Sequence, residues 1–147
     1  MKEVSMMRKI VLFALMLAFS LAVPAVRADV ANQATKVTFS APVQIPGQVL
    51  PAGTYWFMRA SLNDRFRVMI FNEDRTKLFA TILTNDTQRP EATGHTTFTL
   101  ADRGTAGPQA IMRWFYPGTL TGHEFVYPKP LERELAKDKH DTVVAGD

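Results

Sequence analysis

The chain has 147 residues, no cysteine, and seventeen basic against fourteen acidic side chains, for a formal net charge of +3 at pH 7. The absence of cysteine excludes disulfides, a cysteine nucleophile, thiolate metal sites and a lipid-bearing cysteine. Four of the basic residues and one of the acidic residues lie within positions 1–28, so the remainder carries thirteen of each. A segment of zero formal charge has no electrostatic attraction to phosphate backbones, which argues against a nucleic-acid partner.

The first 28 residues have the pattern of a secretory signal peptide. Arg8 and Lys9 precede a largely apolar run over 10–23, and small residues follow at Ala25 and Ala28. A basic start, an apolar core and a small residue at the cleavage point define such a peptide. A run of this length is shorter than the roughly 20 residues that cross a bilayer. We predict cleavage after Ala28, or alternatively after Ala25, and a periplasmic or extracellular protein without a transmembrane segment; an uncleaved anchor helix is the alternative.

The remaining residues are predicted to form one domain over 29–140 and a flexible tail over 141–147. Residues 29–147 comprise 119 positions. That length is sufficient for a single domain to bury a core without covalent cross-links.

Short alternating or aromatic runs between turn signals predict seven to eight β-strands. In chain order they cover 36–39, 43–45, 54–60, 65–71, 77–84 and 95–101, and an aromatic hairpin over 109–128 adds two more. Pro46-Gly47 suits a type II turn between the early strands. A single helix is predicted over Pro130–His140, because proline stands at its start and acidic residues precede basic ones. The pattern indicates an all-β fold, an antiparallel β-sandwich or a partly closed barrel with one short C-terminal helix.

The hairpin over 109–128 holds the densest group of aromatic residues. Pairing Tyr116 with His123 predicts that Trp114 lies opposite Phe125, on a face that collects the aromatic rings. The other face then holds Glu124 on a diagonal from an arginine at position 113. Alternating aromatic residues of this kind are more often core than ligand platform.

The hairpin around 72–76 also has a register that parity predicts. Pairing Phe71 with Lys77 gives one apolar face and one largely polar face. The predicted core face comprises Phe66, Val68, Ile70, Leu78, Ala80 and Ile82. Apolar residues on outer faces, at Trp56 and Met58 and at Met69 and Phe79, suggest a protein partner or self-association.

Three segments carry a resemblance to known proteins. Ile45–Tyr55 contains Leu-Pro-Ala-Gly-Thr-Tyr, while 114–118 reads Trp-Phe-Tyr-Pro-Gly and 124–129 reads Glu-Phe-Val-Tyr-Pro-Lys. Together they resemble a group of small exported bacterial proteins of unassigned function. The Leu-Pro-Ala-Gly-Thr-Tyr segment is also similar to the turn and strand that open carboxypeptidase-regulatory-like β-sandwich modules. The resemblance implies an exported sandwich fold and brings no catalytic activity with it.

The candidate chemistry centres on the loop end of the aromatic hairpin. Adjacent strand residues point to opposite faces, so His123 and Glu124 do not converge without a bulge. With His95 they would form a zinc site only through tertiary contact, since no short-spaced histidine motif is present. Neither Ser40 nor Ser61 lies in a Gly-x-Ser-x-Gly motif. The predicted binding surface comprises Tyr116, Thr119, Thr121, His123 and Glu124.

Two functions from different classes follow from these residues. The first is a non-enzymatic, exported binding or structural module of the cell envelope, with an envelope protein or a glycan as its partner and with no metal or cofactor. The alternative is a small metal-dependent or carboxylate-based hydrolase that uses His123 with loop acids such as Asp86, Glu91 and Asp102.

Overall fold

The computed structural model describes residues 29–145, and the predicted signal peptide lies outside them. The chain divides into a unit over 1–31 and a unit over 32–147, and the second contains the β-strands. Within the described part of this second unit there are ten strands, one α-helix and one 3₁₀ turn. The strands are β1 (Thr35–Phe39), β2 (Val43–Ile45), β3 (Gln48–Leu50), β4 (Gly53–Ser61), β5 (Asp64–Asn72), β6 (Leu78–Gln88), β7 (Thr97–Asp102), β8 (Gln109–Phe115), β9 (Thr121–Phe125) and β10 (Lys139–Val144). The helix, α1, spans Lys129–Leu135, and the 3₁₀ turn spans Gly104–Ala106.

The strands form two layers that share the long strand β6. The first layer has the order β1-β4-β5-β6, and the second continues through β9, β8, β7 and β10. The first half of β6 pairs with β5 and its second half, from Thr84 to Gln88, pairs with β9. Strands β2 and β3 extend the second layer beside the start of β8. The sheet does not close into a barrel.

Aromatic rings from both layers meet in the core. The ring of Phe57, on β4, lies 5.1 Å from Phe98, 6.2 Å from Trp114 and 6.4 Å from Phe125, measured between ring centres. Phe39, on β1, packs against both Phe57 and Phe98 at 6.3 and 6.0 Å. These tilted and edge-to-face contacts are the arrangement that aromatic quadrupoles favour. The inward positions of alternating strands therefore form the core, as the period of two requires.

The all-β prediction is confirmed, but the strand number and one pairing differ from it. Ten strands replace the expected seven to eight, because Gln48–Leu50 and Lys139–Val144 also pair. Gly47 has a φ of 87°, so the chain reverses at Pro46-Gly47 and returns as β3. Strand β2 runs parallel to β8, which makes the sheet mixed and not purely antiparallel. The hydroxyl of Tyr127 lies 2.6 Å from the Ile111 carbonyl oxygen and 3.1 Å from that of Gln44, and so links these two strands.

The C-terminal segment differs from the predicted helix and flexible tail. Helix α1 ends at Leu135 and not at His140, and Lys139–Val144 forms β10 against β7. Leu135 is the one buried residue of α1, so the helix has little apolar surface with which to continue. The residues expected to form a tail from Asp141 instead gain backbone hydrogen bonds along an otherwise free sheet edge.

The register of the aromatic hairpin is shifted by two residues from the prediction. Trp114 lies opposite His123, where Tyr116 was expected, and Arg113 lies directly opposite Glu124. A two-residue shift preserves the side-chain face, because strand side chains alternate with a period of two. The predicted separation of the two faces is therefore correct although the predicted pairs are wrong.

The β5–β6 hairpin shows the same shift together with a bulge. Val68 pairs with Ile82 and Ile70 with Ala80, and the register changes between Ile70 and Phe71. Phe66 and Leu78 were expected inside, but each is 47% exposed. The register change places Leu78 opposite Phe71 and so takes it off the core face, whereas Phe66 precedes the first β5–β6 pair, Arg67 with Leu83, and is exposed at that end of the hairpin.

Candidate functional site

A cleft that several of the predicted site residues line lies at the loop end of the β8–β9 hairpin. We call it the loop-end cleft; its volume is about 320 Å³. It is lined by Gln33, Arg59, Arg65, Asp86, Thr119, Leu120, Thr121, Gly122 and His123. The end of β4, the start of β5, the second half of β6 and the start of β9 thus meet around it.

His123 forms the inner wall of the cleft and is itself buried. Its imidazole stacks on the indole of Trp114, with ring centres 4.9 Å apart and planes 23° apart. Trp114 is fully buried and stacks on Phe98 on the other side. The direct pairing of Trp114 with His123 across β8 and β9 produces this contact.

Both ring nitrogens of His123 have hydrogen-bond partners. Nδ1 lies 3.2 Å from Oγ1 of Thr84, and Nε2 lies 3.0 Å from Oε1 of Gln33. A neutral imidazole has one donor and one acceptor nitrogen, so a donor at Nε2 and an acceptor at Nδ1 satisfy this pair of contacts. Burial, and then the positive charge of Arg59, lower the pKa of His123 to about 4, against a smaller opposite effect of Asp86. His123 is therefore neutral at pH 7, with neither nitrogen free to bind a metal.

Arg59 introduces a positive charge on the inner face of β4. Its Nη2 donates to the carbonyl oxygen of Leu62 at 2.9 Å, while its Nε is buried and has no hydrogen-bond partner among the described residues. No carboxylate of residues 29–145 forms an ion pair with it. The β4–β5 pairing is irregular between Arg59 and Ser61, where Arg59 lines the loop-end cleft. A partly buried cation without a counter-ion is costly unless a ligand or solvent compensates it.

The other two charged residues of the cleft neutralise each other. Arg65 and Asp86 form an ion pair of 2.9 Å. Asp86 lies on β6 directly opposite His123 on β9, so it shares the face of the sheet that borders the cleft. The cleft therefore has a net positive charge, which Arg59 contributes.

Arg89 holds the β8–β9 loop in the shape that borders the cleft. Its side chain donates to the carbonyl oxygens of Thr119 at 2.9 Å and Tyr116 at 3.1 Å, and to the hydroxyls of Thr93 and Thr97. Its backbone N–H donates to the carbonyl oxygen of Leu120. The loop is thus fixed by one guanidinium that can donate in several directions.

The structure brings together three of the five predicted binding residues. Thr119, Thr121 and His123 line the loop-end cleft. Tyr116 lines a separate cleft of about 240 Å³ together with Trp56, and Glu124 lies on the opposite face of the hairpin, 3.4 Å from Arg113. The separation follows from alternation, which places adjacent residues of a strand on opposite faces.

Sequence reasoning named Asp86 as one acid that could act with His123, but it did not identify Gln33, Arg59 and Arg65, nor the group that all four form around His123. One local signal was available. Arg59 has the same parity as Tyr55 and Phe57, so it is a charged residue on an otherwise inward apolar face. The convergence of the four positions, from separate segments of the chain, is a tertiary feature that spacing does not reveal.

Metal binding has no support in the described part of the chain. Within residues 29–145 no three histidine or acidic side chains lie close enough to hold an ion. The conceivable zinc set does not form, since His95 lies outside β7 on an exposed loop and Glu124 points away from His123.

Comparison with protein-family models, with curated proteins and with solved structures gives no match for this chain. Among the described residues, none belongs to a helix of the length and hydrophobicity that a bilayer crossing requires.

Proposed function

We propose that this chain is an exported, non-enzymatic β-sandwich module of the cell envelope that binds a polar ligand in the loop-end cleft. The observation that carries the proposal is the meeting of Arg59, Thr121 and His123 in one open cleft of about 320 Å³. Export is supported by the signal-like pattern of the first 28 residues. Binding sites of this type have a few polar groups held by a rigid scaffold, and here the sandwich core and Arg89 supply the rigidity.

The hydrolase alternative has weaker support. A general base must have a free nitrogen or oxygen within reach of the substrate. Both nitrogens of His123 are engaged by Thr84 and Gln33, and its lowered pKa makes it a weak base at neutral pH. Of the acids named for this alternative, Asp86 lines the loop-end cleft but is paired with Arg65, and Glu91 and Asp102 do not line it.

Self-association through the outer face of the first layer is a second form that the binding function can take. Trp56 lies opposite Phe71, and Met58 lies opposite Met69, on the face away from the core. All four are half-buried, and the guanidinium of Arg75 lies 3.7 Å above the ring of Trp56. Sedimentation of the purified chain at high concentration tests this form, and a strict monomer would remove it.

The binding proposal is tested by a thermal-shift screen of the purified full-length chain against glycans, lipids and divalent metals. A ligand present at a hundred times its dissociation constant adds about 2.7 kcal/mol to the free energy of unfolding. Thr121→Trp should fill the cleft and abolish the shift, whereas Thr81→Trp, at an exposed strand position outside the cleft, should preserve it. A stabilising ligand whose effect is the same in both variants would refute binding at this site.

A further inference from the structure

The charge of the loop-end cleft determines which chemical class of ligand it can hold, provided that the cleft is the binding site proposed above. We infer that the ligand carries an oxyanion, a carboxylate or a phosphoryl group, and that Arg59 is its counter-ion. The inference depends on the charge, the hydrogen-bonding capacity and the side-chain composition of the cleft.

The charge of the cleft is positive because only one of its two arginines has an acidic partner. Arg65 and Asp86 are paired at 2.9 Å, while Arg59 has no ion-pair partner among the described residues. An oxyanion beside Arg59 would bring the cleft to neutrality. A second cation there would meet repulsion from Arg59 with only the already paired Asp86 to offset it.

Arg59 also has unused hydrogen-bonding capacity. A guanidinium has five N–H donors, and the described residues accept one hydrogen bond from it, at the carbonyl oxygen of Leu62. The guanidinium fork matches the two oxygens of a carboxylate or phosphoryl group and binds them in a bidentate manner. The carbonyl of Leu62 holds this fork in place without neutralising it.

The neighbouring side chains are short, polar and uncharged. The hydroxyl of Thr121 and the amide N–H groups of Gln33 border the same space and can donate to anionic oxygens. The Thr119 hydroxyl already donates to the Tyr116 carbonyl oxygen at 2.8 Å, whereas no such contact is present for Thr121 among the described residues. An oxyanion would thus meet donors on two sides of the cleft.

The composition of the cleft disfavours a neutral sugar. Sites for neutral sugars present aromatic platforms to the ring faces, because apolar C–H groups stack on them. The lining described for this cleft contains no phenylalanine, tyrosine or tryptophan, and the imidazole of His123 is already stacked on Trp114. The aromatic residues of the hairpin that pack in the core are not available to a ligand, so charge is the feature by which the cleft would select its ligand.

Isothermal titration of the full-length chain with inorganic phosphate, with D-glucuronate and with D-glucose tests the inference. We expect at least one of the two anions to bind, glucose to bind at least about tenfold more weakly, and added salt to reduce the anion affinity. Arg59→Gln should weaken anion binding about tenfold or more, because it removes the counter-ion while retaining a polar side chain. Arg67→Gln is the matched control, since Arg67 pairs with Asp64 and does not line the cleft.

Asp86→Asn provides a test of opposite sign that does not depend on the folding of the Arg59 variant. It releases Arg65 from its partner and removes the negative charge of the cleft, so anion affinity should rise about threefold to tenfold. Co-sedimentation with phosphatidylglycerol–phosphatidylcholine vesicles, if it is lost in Arg59→Gln, identifies a lipid headgroup and not a free anion as the source of the oxyanion.

Three results would overturn the inference. They are the absence of binding to both anions and to the vesicles, equal affinity for glucose and glucuronate, and an unchanged anion affinity in both Arg59→Gln and Asp86→Asn. If glucose and glucuronate bind with equal affinity and Thr121→Trp abolishes the binding of both, the cleft is a binding site for a neutral ligand, and the proposed binding function still holds. Failure of every ligand in the wider screen would instead refute the binding function itself.

Discussion

Polar groups on the two faces of the β8–β9 hairpin lie in opposite environments, one buried and one solvated. On the inner face, His123 lies on the fully buried Trp114 and remains neutral, because burial penalises the charged imidazolium. On the outer face, Arg113 and Glu124 meet in a salt bridge of 3.4 Å, each with about two-fifths of its side chain exposed. The same pair of strands therefore holds one polar group by hydrogen bonds in the core and another pair by a solvated charge contact.

The difference shows that the face of the hairpin on which a side chain lies, and not its residue type, determines how much it contributes to the free energy of unfolding. When a buried group is removed, its packing contacts and hydrogen bonds are lost and its partners stay buried. When one member of a solvated ion pair is removed, water replaces most of the lost interaction. Measurements that change one face at a time should therefore differ in size, and the expected effects decrease in the order that follows.

The largest effect should come from the inner-face indole. Trp114→Ala should lower the free energy of unfolding by about 3–5 kcal/mol, since it leaves a cavity between Phe98 and His123. The control is Trp56→Ala, which changes a half-buried indole on the outer face of β4 and should cost clearly less. Urea denaturation monitored by far-ultraviolet circular dichroism measures both, and equal losses would contradict the assignment of Trp114 to the core.

A smaller loss should follow from adding one methyl group at Gly122. A Cβ there would lie 2.4 Å from the Phe115 ring and 2.5 Å from the Trp114 carbonyl oxygen, so the hairpin must shift to admit it. Gly122→Ala should therefore cost about 1–3 kcal/mol by overpacking. Gly94→Ala is the matched control, because a Cβ at Gly94 meets nothing within 4 Å. A Gly122→Ala protein as stable as the control would show that the two strands are not so closely packed.

Acidification should destabilise the protein through His123. The folded state lowers the pKa of His123 to about 4 from its ordinary 6.5. Between these values the unfolded chain takes up the proton more readily than the folded chain, so the free energy of unfolding rises with pH across this window. Lowering the pH from 7 to 5 should remove on the order of 2 kcal/mol.

Two variants identify the source of this pH dependence. His123→Gln should be less stable at pH 7 but should lose much of the slope between pH 7 and 5, whereas His95→Gln, at an exposed loop position, should retain it. Denaturant midpoints at a series of pH values provide the measurement. An unchanged slope in His123→Gln would show that other groups cause the dependence.

The smallest effect should come from the outer-face ion pair. A double-mutant cycle with Arg113→Ala and Glu124→Ala should give a coupling energy of about 0.5 kcal/mol, which decreases as salt is added. A coupling above about 1.5 kcal/mol that does not respond to salt would mean that this pair is as strongly desolvated as the inner face.

Alternation in the sequence predicted the face of most hairpin residues but not their partners. The period of two assigned Trp114 and His123 to one side and Glu124 to the other, and a register error of two residues did not change this. The exact register of each hairpin depends on the length of its loop and, in β5–β6, on a bulge. Packing between the two layers determines the free energy of each of these arrangements. Leu78 was misplaced because of that bulge, and Phe66 because the β5–β6 pairing begins only at Arg67.

The amino-acid sequence by itself determined the all-β fold, the sidedness of the strands and the loop position of Thr119, because these follow from local alternation and turn chemistry. Only the tertiary structure decided that β10 pairs with β7, that β2 lies parallel to β8, and that Arg59 and Asp86 meet around His123. These contacts join segments far apart in the chain. They depend on how two layers pack around shared aromatic rings, which no local pattern encodes.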